Sequence, residues 1–426
     1  MRGELKIVIF TGLLWLISSQ NIGVISFSLR SILNSLEVTD PLIQSLIGGG
    51  ANIGMLFGAL VSGFLADRVG RRGIISVYVG LHSLATLLAG VAPTPETLVL
   101  FRVITGFGVG GALPIIASLV AEYSRPDRRG MNISLVESFW AFGWLSALLL
   151  SGFTVFSSGD WRLYMILAGL LSLTIYLSII LRIPESLRFL KMVGRRSEAY
   201  HLSMVYGVPL PDVEEVRLSL FEAAKKLIKN FRRETIGLWI AWFSITMGYY
   251  GIFIWLPTIL ARTHEEIGAY LSENLFTYLL IFTLAQIPGY YSSVVLVDRV
   301  GRKRLLFTYL IMTAVGSYFF ASASTVFELY LWGVIISFFD LGAWAAIYTY
   351  TPEQYPTHIR GMGASWAGFF GRIGGILGAT IVPFLGLDWF IIFTLFAAIH
   401  VLGALGVLLG REMKGVEMIE KISVKV

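Results

Sequence analysis

Long stretches without charged residues dominate this sequence. Ile7 to Leu29, Leu42 to Ala66 and Trp389 to Leu409 each exceed 20 residues, about the length at which a helix crosses the hydrocarbon core of a bilayer. A spanning backbone must satisfy its own hydrogen bonds, so only a helix bundle or a closed β-barrel is allowed. Runs such as LIMTAVGSYFF at 310–320 are apolar on every side instead of alternating, which favours helices.

The spacing of these stretches predicts an all-α membrane protein with twelve spans. We place them at about 7–29, 42–66, 74–92, 97–122, 131–156, 162–183, 235–260, 274–297, 305–323, 327–351, 361–385 and 388–410. Hydrophobic residues make up 56% of the chain and charged residues only 14%, against roughly 25% charged residues in soluble proteins.

The basic residues give the orientation of the spans. Of the 33 Lys and Arg residues, 28 fall in the tails and loops on one predicted side, 3 fall in the other loops, and Arg102 and Arg372 lie inside spans. Cytoplasmic loops hold most Lys and Arg residues, so both termini are predicted to be cytoplasmic. The net charge of +6 is therefore a topology signal and does not indicate a nucleic-acid partner.

A polar segment at 184–234 separates two domains, 1–183 and 235–426. Together with Arg182, it holds 11 of the basic residues. Apolar residues fall on one helical face of this segment, which predicts an amphipathic helix lying against the membrane or the bundle: Val213, Val216, Leu220, Leu227 and Phe231. A linker is the favoured interpretation, and a regulatory partner site is the alternative.

An internal repeat relates the two domains. The run DRVGR at 67–71 recurs at 298–302, and Glu122 with RGM at 129–131 recurs as Glu353 with RGM at 360–362. Both motifs are displaced by 231 residues. A common displacement of two unrelated motifs predicts duplicated halves in the same orientation, as in parallel-repeat transporters.

These motifs resemble the major facilitator superfamily. GFLADRVGRR at 63–72 is similar to its signature G-x-x-x-D-R-x-G-R-R, and three further runs resemble its sugar-porter, metabolite:proton symporter and organic-ion branches: FRVITGFGVGG at 101–111, PESLRFL at 184–190 and PEQYPTHIRG at 352–361. YYGIFIWLPTIL at 249–260 is closest to the metabolite symporters. The resemblance implies two six-helix bundles, with the first, fourth, seventh and tenth helices lining a cavity.

The first helix departs from the metabolite symporter pattern. That branch reads like D-A-M-D-V-G ahead of a Ser-Phe pair, whereas SSQNIG at 18–23 stands here. Both acids that would carry proton coupling through this helix are absent.

Charged clusters at the predicted cytoplasmic ends are candidates for gating. An acid at a helix end beside the bases of a neighbouring helix forms a latch that helix motion must break, with helix-dipole contacts as an alternative. The residues in these clusters are Asp67, Arg68, Arg71, Glu122 and Arg129, with Asp298, Arg299, Arg302, Glu353 and Arg360 in the second half. The competing interpretation is that they serve only topology and solubility.

Ionisable residues inside spans mark a solute pathway or a structural pair. Asp340 and Arg372 are predicted near mid-bilayer: they either pair with each other in some state of the protein, or Asp340 takes a proton while Arg372 binds an anionic substrate. Arg102 is a candidate for substrate binding, with snorkelling to the headgroups as its alternative. Glu137 is a second candidate for proton coupling.

Polar and aromatic residues of the lining helices are candidates for a binding surface. These are Gln20, Asn21, Tyr249, Tyr250, Trp255 and Trp344, with Tyr348 beside them. His82 and His400 fall in the third and twelfth helices, and both are interpreted as structural. Gly106, Gly108 and Gly111 spell G-x-G-x-x-G, but no strand precedes them, so they are interpreted as helix-packing residues.

The predicted function is secondary transport of a small organic solute by rocking of the two halves. The two arginines favour an organic anion or aromatic carboxylate, with protons as a coupled ion; a neutral sugar and a non-transporting sensor are the alternatives. The partners are the substrate and the lipid bilayer, and a monomer is predicted. No cysteine, phosphate-loop or H-E-x-x-H motif is present, so no cofactor, metal or enzyme activity is predicted.

Overall fold

The chain forms two helical units. The computed structural model describes residues 2–125, 128–210, 227–260, 265–386 and 388–414. Within these residues twelve helices are long and apolar enough to cross a membrane, which confirms the predicted fold class. The units are Met1–Val216 and Arg217–Val426, here called the N-bundle and the C-bundle.

Each bundle contributes six spans. In the N-bundle they are α1 (Arg2–Ser35), α2 (Pro41–Val69), α3 (Arg71–Ala89), α4 (Pro95–Glu122), α5 (Arg129–Gly152) and α6 (Trp161–Ile179). In the C-bundle they are α7 (Arg232–Leu260), α8 (Glu265–Leu284 continued by Gln286–Val300), α9 (Arg302–Ala321), α10 (Val326–Glu353), α11 (Thr357–Ile381) and α12 (Trp389–Leu408). Short helices at Val155–Ser158, Leu187–Met192 and Arg196–Tyr206 complete the N-bundle.

Local signals fix where several spans begin. Asp40 accepts a hydrogen bond from the backbone N–H of Leu42, with Pro41 in the first helical position. Thr325 and Glu328 form a reciprocal capping box at the start of α10. Such caps satisfy N–H groups that have no partner inside the helix. The capping residues therefore mark where these spans begin.

Glycines set the closest helix contacts. A Cβ on Gly106 of α4 would overlap the carbonyl oxygen of Ala51 in α2, and a Cβ on Gly110 would overlap that of Met55. In the C-bundle, Gly374 and Gly378 of α11 meet carbonyl oxygens of α7 in the same way. In a bilayer the hydrophobic effect does not drive helices together, so close packing of the backbones, with its dispersion contacts, stabilises the interface. Glycines allow this close approach, which agrees with the helix-packing interpretation of the glycines in α4.

The connecting segment is described only in part. Val213, Val216 and Leu220 lie outside the described residues. Leu227 and Phe231 are buried in the core of the C-bundle, and Phe231 packs edge-on against Tyr355 at 6.0 Å between ring centroids. The boundaries at 184 and 234 and the continuous amphipathic helix stay predictions.

Candidate functional site

A polar centre lies inside the N-bundle, at the point where the first helix departs from the family pattern. Asn21 of α1 lies 2.8 Å from Nδ1 of His82 in α3, and Ser172 of α6 donates to the Asn21 carbonyl oxygen at 3.0 Å. The other imidazole nitrogen, Nε2, lies 3.2 Å from Ser18, whose hydroxyl donates to the Leu14 carbonyl. The Ser18 hydroxyl must therefore accept from Nε2–H, while Nδ1 accepts from the Asn21 amide, so His82 is held as a neutral imidazole.

Arg102 belongs to this polar centre. Its guanidinium donates to the backbone carbonyls of Asn21 at 2.8 Å and Ile22 at 3.3 Å, and the side chain is fully buried. Two carbonyls of α1 thus hold the guanidinium. The predicted role of Arg102 in substrate binding stays a prediction.

Gln20 and Glu137 are also buried in the N-bundle. The Gln20 amide donates to the Ala168 carbonyl at 3.1 Å and accepts from Ser146 at 3.0 Å. Glu137 of α5 is 4% exposed. Since the amide of Gln20 is used at both ends, its contacts are those of a bundle-packing residue.

A buried acid–histidine pair lies inside the C-bundle. Asp340 of α10 and His400 of α12 are both 0% exposed, and Oδ1 of the acid lies 3.1 Å from Nε2 of the imidazole. Nδ1 of His400 lies 2.7 Å from the Phe396 carbonyl. Among the described residues, Oδ2 of Asp340 has no hydrogen-bond partner. Asp340 is thus paired with His400, and the alternative pairing with Arg372 is not the one seen.

Arg372 instead contacts the predicted aromatic surface. Its guanidinium donates a hydrogen bond to the Tyr250 hydroxyl of α7, and its side chain is half-buried. The ring of Tyr250 lies 5.2 Å from that of Tyr249, which in turn lies 5.7 Å from Trp344 of α10. A cation therefore borders a run of aromatic rings within one bundle.

Two predicted tryptophans differ in what their N–H groups meet. The ring of Trp255 is fully buried and its N–H donates to the Ala379 carbonyl at 2.7 Å. Trp344 is half-buried, and its Nε1 has no hydrogen-bond partner among the described residues. Trp344 thus has a buried N–H group without a described partner, whereas Trp255 has the contacts of a packing residue.

At one end of the N-bundle, acids join the start of α3 to the end of α4. Arg71 forms an ion pair with Glu122. Glu185, which follows α6, accepts from the backbone N–H groups of Arg71 at 2.7 Å and Arg72 at 3.2 Å. This carboxylate lies beside Gly70, whose φ of 92° suits glycine, and it caps α3 where the helix dipole is positive.

The C-bundle also has an ion pair and a capping carboxylate at the start of its third span. Arg302 pairs with Glu353 at 3.0 Å and with Asp298 at 2.7 Å. Glu412, after α12, accepts from the backbone N–H of Arg304 at 3.3 Å and lies beside Gly301, whose φ is 107°. Our sequence interpretation missed Glu185 and Glu412, although both follow a sixth helix of a repeat.

The remaining residues of the charged clusters make local contacts. Arg129 donates to the Ala121 carbonyl at 3.1 Å, and Arg360 to the Tyr355 carbonyl at 3.3 Å. These are the helix-end contacts offered as the alternative to ion pairs. Arg68 lies over the Phe64 ring, and the backbone carbonyl of Arg299 accepts from Lys414. The side chain of Asp67 lies outside the described part of the structure.

Comparisons with known proteins identify the family of this chain. The family described as "Sugar (and other) transporter" matches residues 19–422. The chain belongs to this transporter family. The twelve long apolar helices found among the described residues are those of a multi-pass membrane protein.

Relatives within this family cover nearly the whole chain. The niacin transporter NiaP of Acinetobacter baylyi is 39% identical, with 95% of this chain and 93% of the relative covered. The putative niacin/nicotinamide transporter NiaP of Bacillus subtilis is 34% identical, with 97% of each chain covered. The chain is thus a transporter of an organic solute.

A solved structure of another transporter has the same fold. The xylose transporter XylE from E. coli, in a partially occluded inward open conformation, has a TM-score of 0.77 and covers 95% of this chain and 97% of its own. Its sequence identity is 17%, so the likeness concerns the fold alone.

Proposed function

We propose that this chain carries a small aromatic monocarboxylate across the cytoplasmic membrane, with nicotinate as the first candidate. The observation that carries the proposal is the half-buried Arg372 beside aromatic rings inside a spanning bundle. A guanidinium forms charge-assisted, often bidentate hydrogen bonds with a carboxylate, and aromatic side chains bind a flat ring. The names of the two relatives support this substrate class.

The proposed partners and topology are those predicted from the sequence. We propose alternating access, in which the substrate site opens in turn to either side of the membrane. Both termini are cytoplasmic and the protein works as a monomer. Cysteine crosslinking in membranes and labelling of the two tails would test these two statements, and tails on opposite faces would overturn the topology.

The unpartnered Trp344 N–H supplies specificity for a pyridine ring. Its Nε1 would donate to the ring nitrogen of nicotinate, which benzoate lacks. Trp344→Phe is expected to weaken nicotinate binding by about tenfold, the value of one hydrogen bond, and to change benzoate binding less than about twofold. Calorimetric titration of the purified protein with both ligands measures this difference.

Trp239→Phe is the matched control. The Nε1 of Trp239 also has no partner among the described residues, but the ring stacks on Phe370 at 4.2 Å and belongs to no proposed contact. An equal loss for nicotinate and benzoate in Trp344→Phe would reduce Trp344 to a packing residue. Radiolabelled nicotinate uptake, with benzoate and xylose as competitors, separates the substrate classes. Binding without flux would favour a sensor.

The repeated ion pairs are proposed as latches of the transport cycle. Arg302 is 19% and Glu353 is 22% exposed, so removal of one partner leaves the other charge poorly solvated. Glu353→Gln and Arg302→Gln are each expected to slow nicotinate exchange by about tenfold, and the double variant no more than either single one. Rates of nicotinate exchange in proteoliposomes, measured for the two single variants and the double variant, test this expectation. Strictly multiplicative effects would show that the two residues act independently.

A further inference from the structure

We propose that the Asp340–His400 pair binds the coupled proton, and that one proton accompanies each monocarboxylate. The proposal rests on the proposed carboxylate transport and deepens it. His400 enters as a functional residue, whereas the sequence interpretation made it structural.

The hydrogen-bond geometry of the pair shows how many protons it holds. A backbone carbonyl can only accept, so Nδ1 of His400 must carry a proton for its 2.7 Å contact with Phe396. The 3.1 Å contact between Nε2 and Oδ1 of Asp340 then needs a second proton, on either atom. Without it, a nitrogen lone pair faces a carboxylate oxygen and the contact is repulsive. The observed geometry is therefore that of a proton-loaded pair, with net charge zero.

The ring of His400 cannot turn away easily to relieve that repulsion. It lies against Gly248 of α7, where an added Cβ would overlap Cε1 of the imidazole. Loss of the proton must therefore move α10 or α12, or bring another donor to Asp340. A proton site that resists local relaxation can bias a larger helix movement.

The N-bundle contains a similar pair that lacks a carboxylate. Asn21 takes the place of the acid, and its amide donates to Nδ1 of His82 at 2.8 Å. In each bundle an Asn or Asp on one helix thus contacts a histidine two helices later. Asn21 of α1 contacts His82 of α3, and Asp340 of α10 contacts His400 of α12. Only the C-bundle pair includes a carboxylate, so the proton is assigned there.

Among the described residues, most charged groups of the helices around the pair lie towards the helix ends. Helices α7, α8, α9 and α11 pack against α10 or α12. Their charged residues cluster towards the ends of the helices, as do those of α10 itself: Arg232, Arg233, Glu234, Glu273, Asp298, Arg299, Arg302, Lys303, Arg304, Glu328, Glu353 and Arg360. The exception is Arg372, bonded to Tyr250. Tyr249 packs on Trp344 and Tyr309 lies 2.9 Å from Ser292.

Charge balance then links the proton to the substrate. A bound proton adds one positive charge to the site and a bound carboxylate adds one negative charge, so binding of both leaves the net charge of the empty state unchanged. A proton alone raises the net charge by one, and a carboxylate alone lowers it by one. Uncompensated charge inside a membrane is costly, so the empty and the fully loaded states change access more readily than the two mixed states.

Accumulation of radiolabelled nicotinate in proteoliposomes tests this. A gradient of one pH unit at zero membrane potential is expected to give about tenfold accumulation, the limit for one proton per anion, and a potential alone is expected to give none. Asp340→Asn is expected to lower the accumulation ratio to about one and to keep nicotinate exchange within about threefold. Asparagine should be tolerated because its amide can donate to His400 as Asn21 does to His82.

His400→Gln and His82→Gln complete the design. The first is expected to lower the accumulation ratio towards one as well, and it decides the matter where Asp340→Asn fails to fold. His82→Gln alters a buried histidine whose partner, Asn21, is an amide and not a carboxylate. It should leave the accumulation ratio near tenfold, even if it changes the rate of transport. A ratio that stays high in both Asp340→Asn and His400→Gln, or accumulation driven by potential alone, overturns the proton site. Absence of nicotinate exchange in the unaltered protein would instead overturn the proposed function.

Discussion

Arg372→Gln is expected to weaken nicotinate binding by about a hundredfold or more. The guanidinium is the half-buried cation beside the aromatic rings, and two charge-assisted hydrogen bonds to a carboxylate are together worth about 3 kcal/mol, or about a hundredfold in Kd. Arg372→Lys keeps the charge but not the bidentate fork, so its loss should be smaller, about tenfold. Titration calorimetry with the purified variants measures both.

Nicotinamide provides the internal control for this prediction. It has the same ring but no carboxylate, so Arg372→Gln should change its binding much less and remove any preference for the anion. Tyr250→Phe should have an intermediate effect, because it removes the hydroxyl that accepts from Arg372. A Kd for nicotinate within about threefold of the unaltered protein would place the carboxylate elsewhere.

Gly106→Val is expected to prevent stable folding of the N-bundle. The added side chain would begin inside the Ala51 carbonyl and must force α4 away from α2. Separation would also disturb the contact of Gly110 with Met55, so the loss extends along the interface. We expect little monodisperse protein after extraction and a fall in melting temperature of more than about 10 °C, in line with disruption of a close-packed core.

Gly63→Ala is the matched control, since a Cβ at Gly63 of α2 meets no atom within 4 Å. It should leave the yield and the melting temperature close to those of the unaltered protein. Normal yield of Gly106→Val would mean that α2 and α4 can separate at little cost.

The fold was predictable because its signals are long and redundant. Each span combines some 20 apolar residues with flanking charges or caps, and the repeated DRVGR and RGM motifs bring the two halves into register. Bilayer-spanning chains have few architectures that satisfy the backbone, so periodicity and charge placement were enough.

The internal partners of the site residues were not predictable in the same way. The sequence did not indicate that Arg102 binds the carbonyls of Asn21 and Ile22. His400 was interpreted as structural because the resemblance places the twelfth helix on the periphery, but it lies beside Asp340, 60 residues away in the sequence. Such contacts depend on the rotation of each helix about its axis, which an evenly apolar span leaves undetermined.

The two capping carboxylates tie the chain beyond each sixth helix to the third helix of the same half. Glu185 and Glu412 accept hydrogen bonds from backbone N–H groups at the start of α3 and of α9. They stand 227 residues apart instead of the 231 that separate the repeated motifs. Loss of either carboxylate would therefore leave N–H groups at the start of a span without their acceptor.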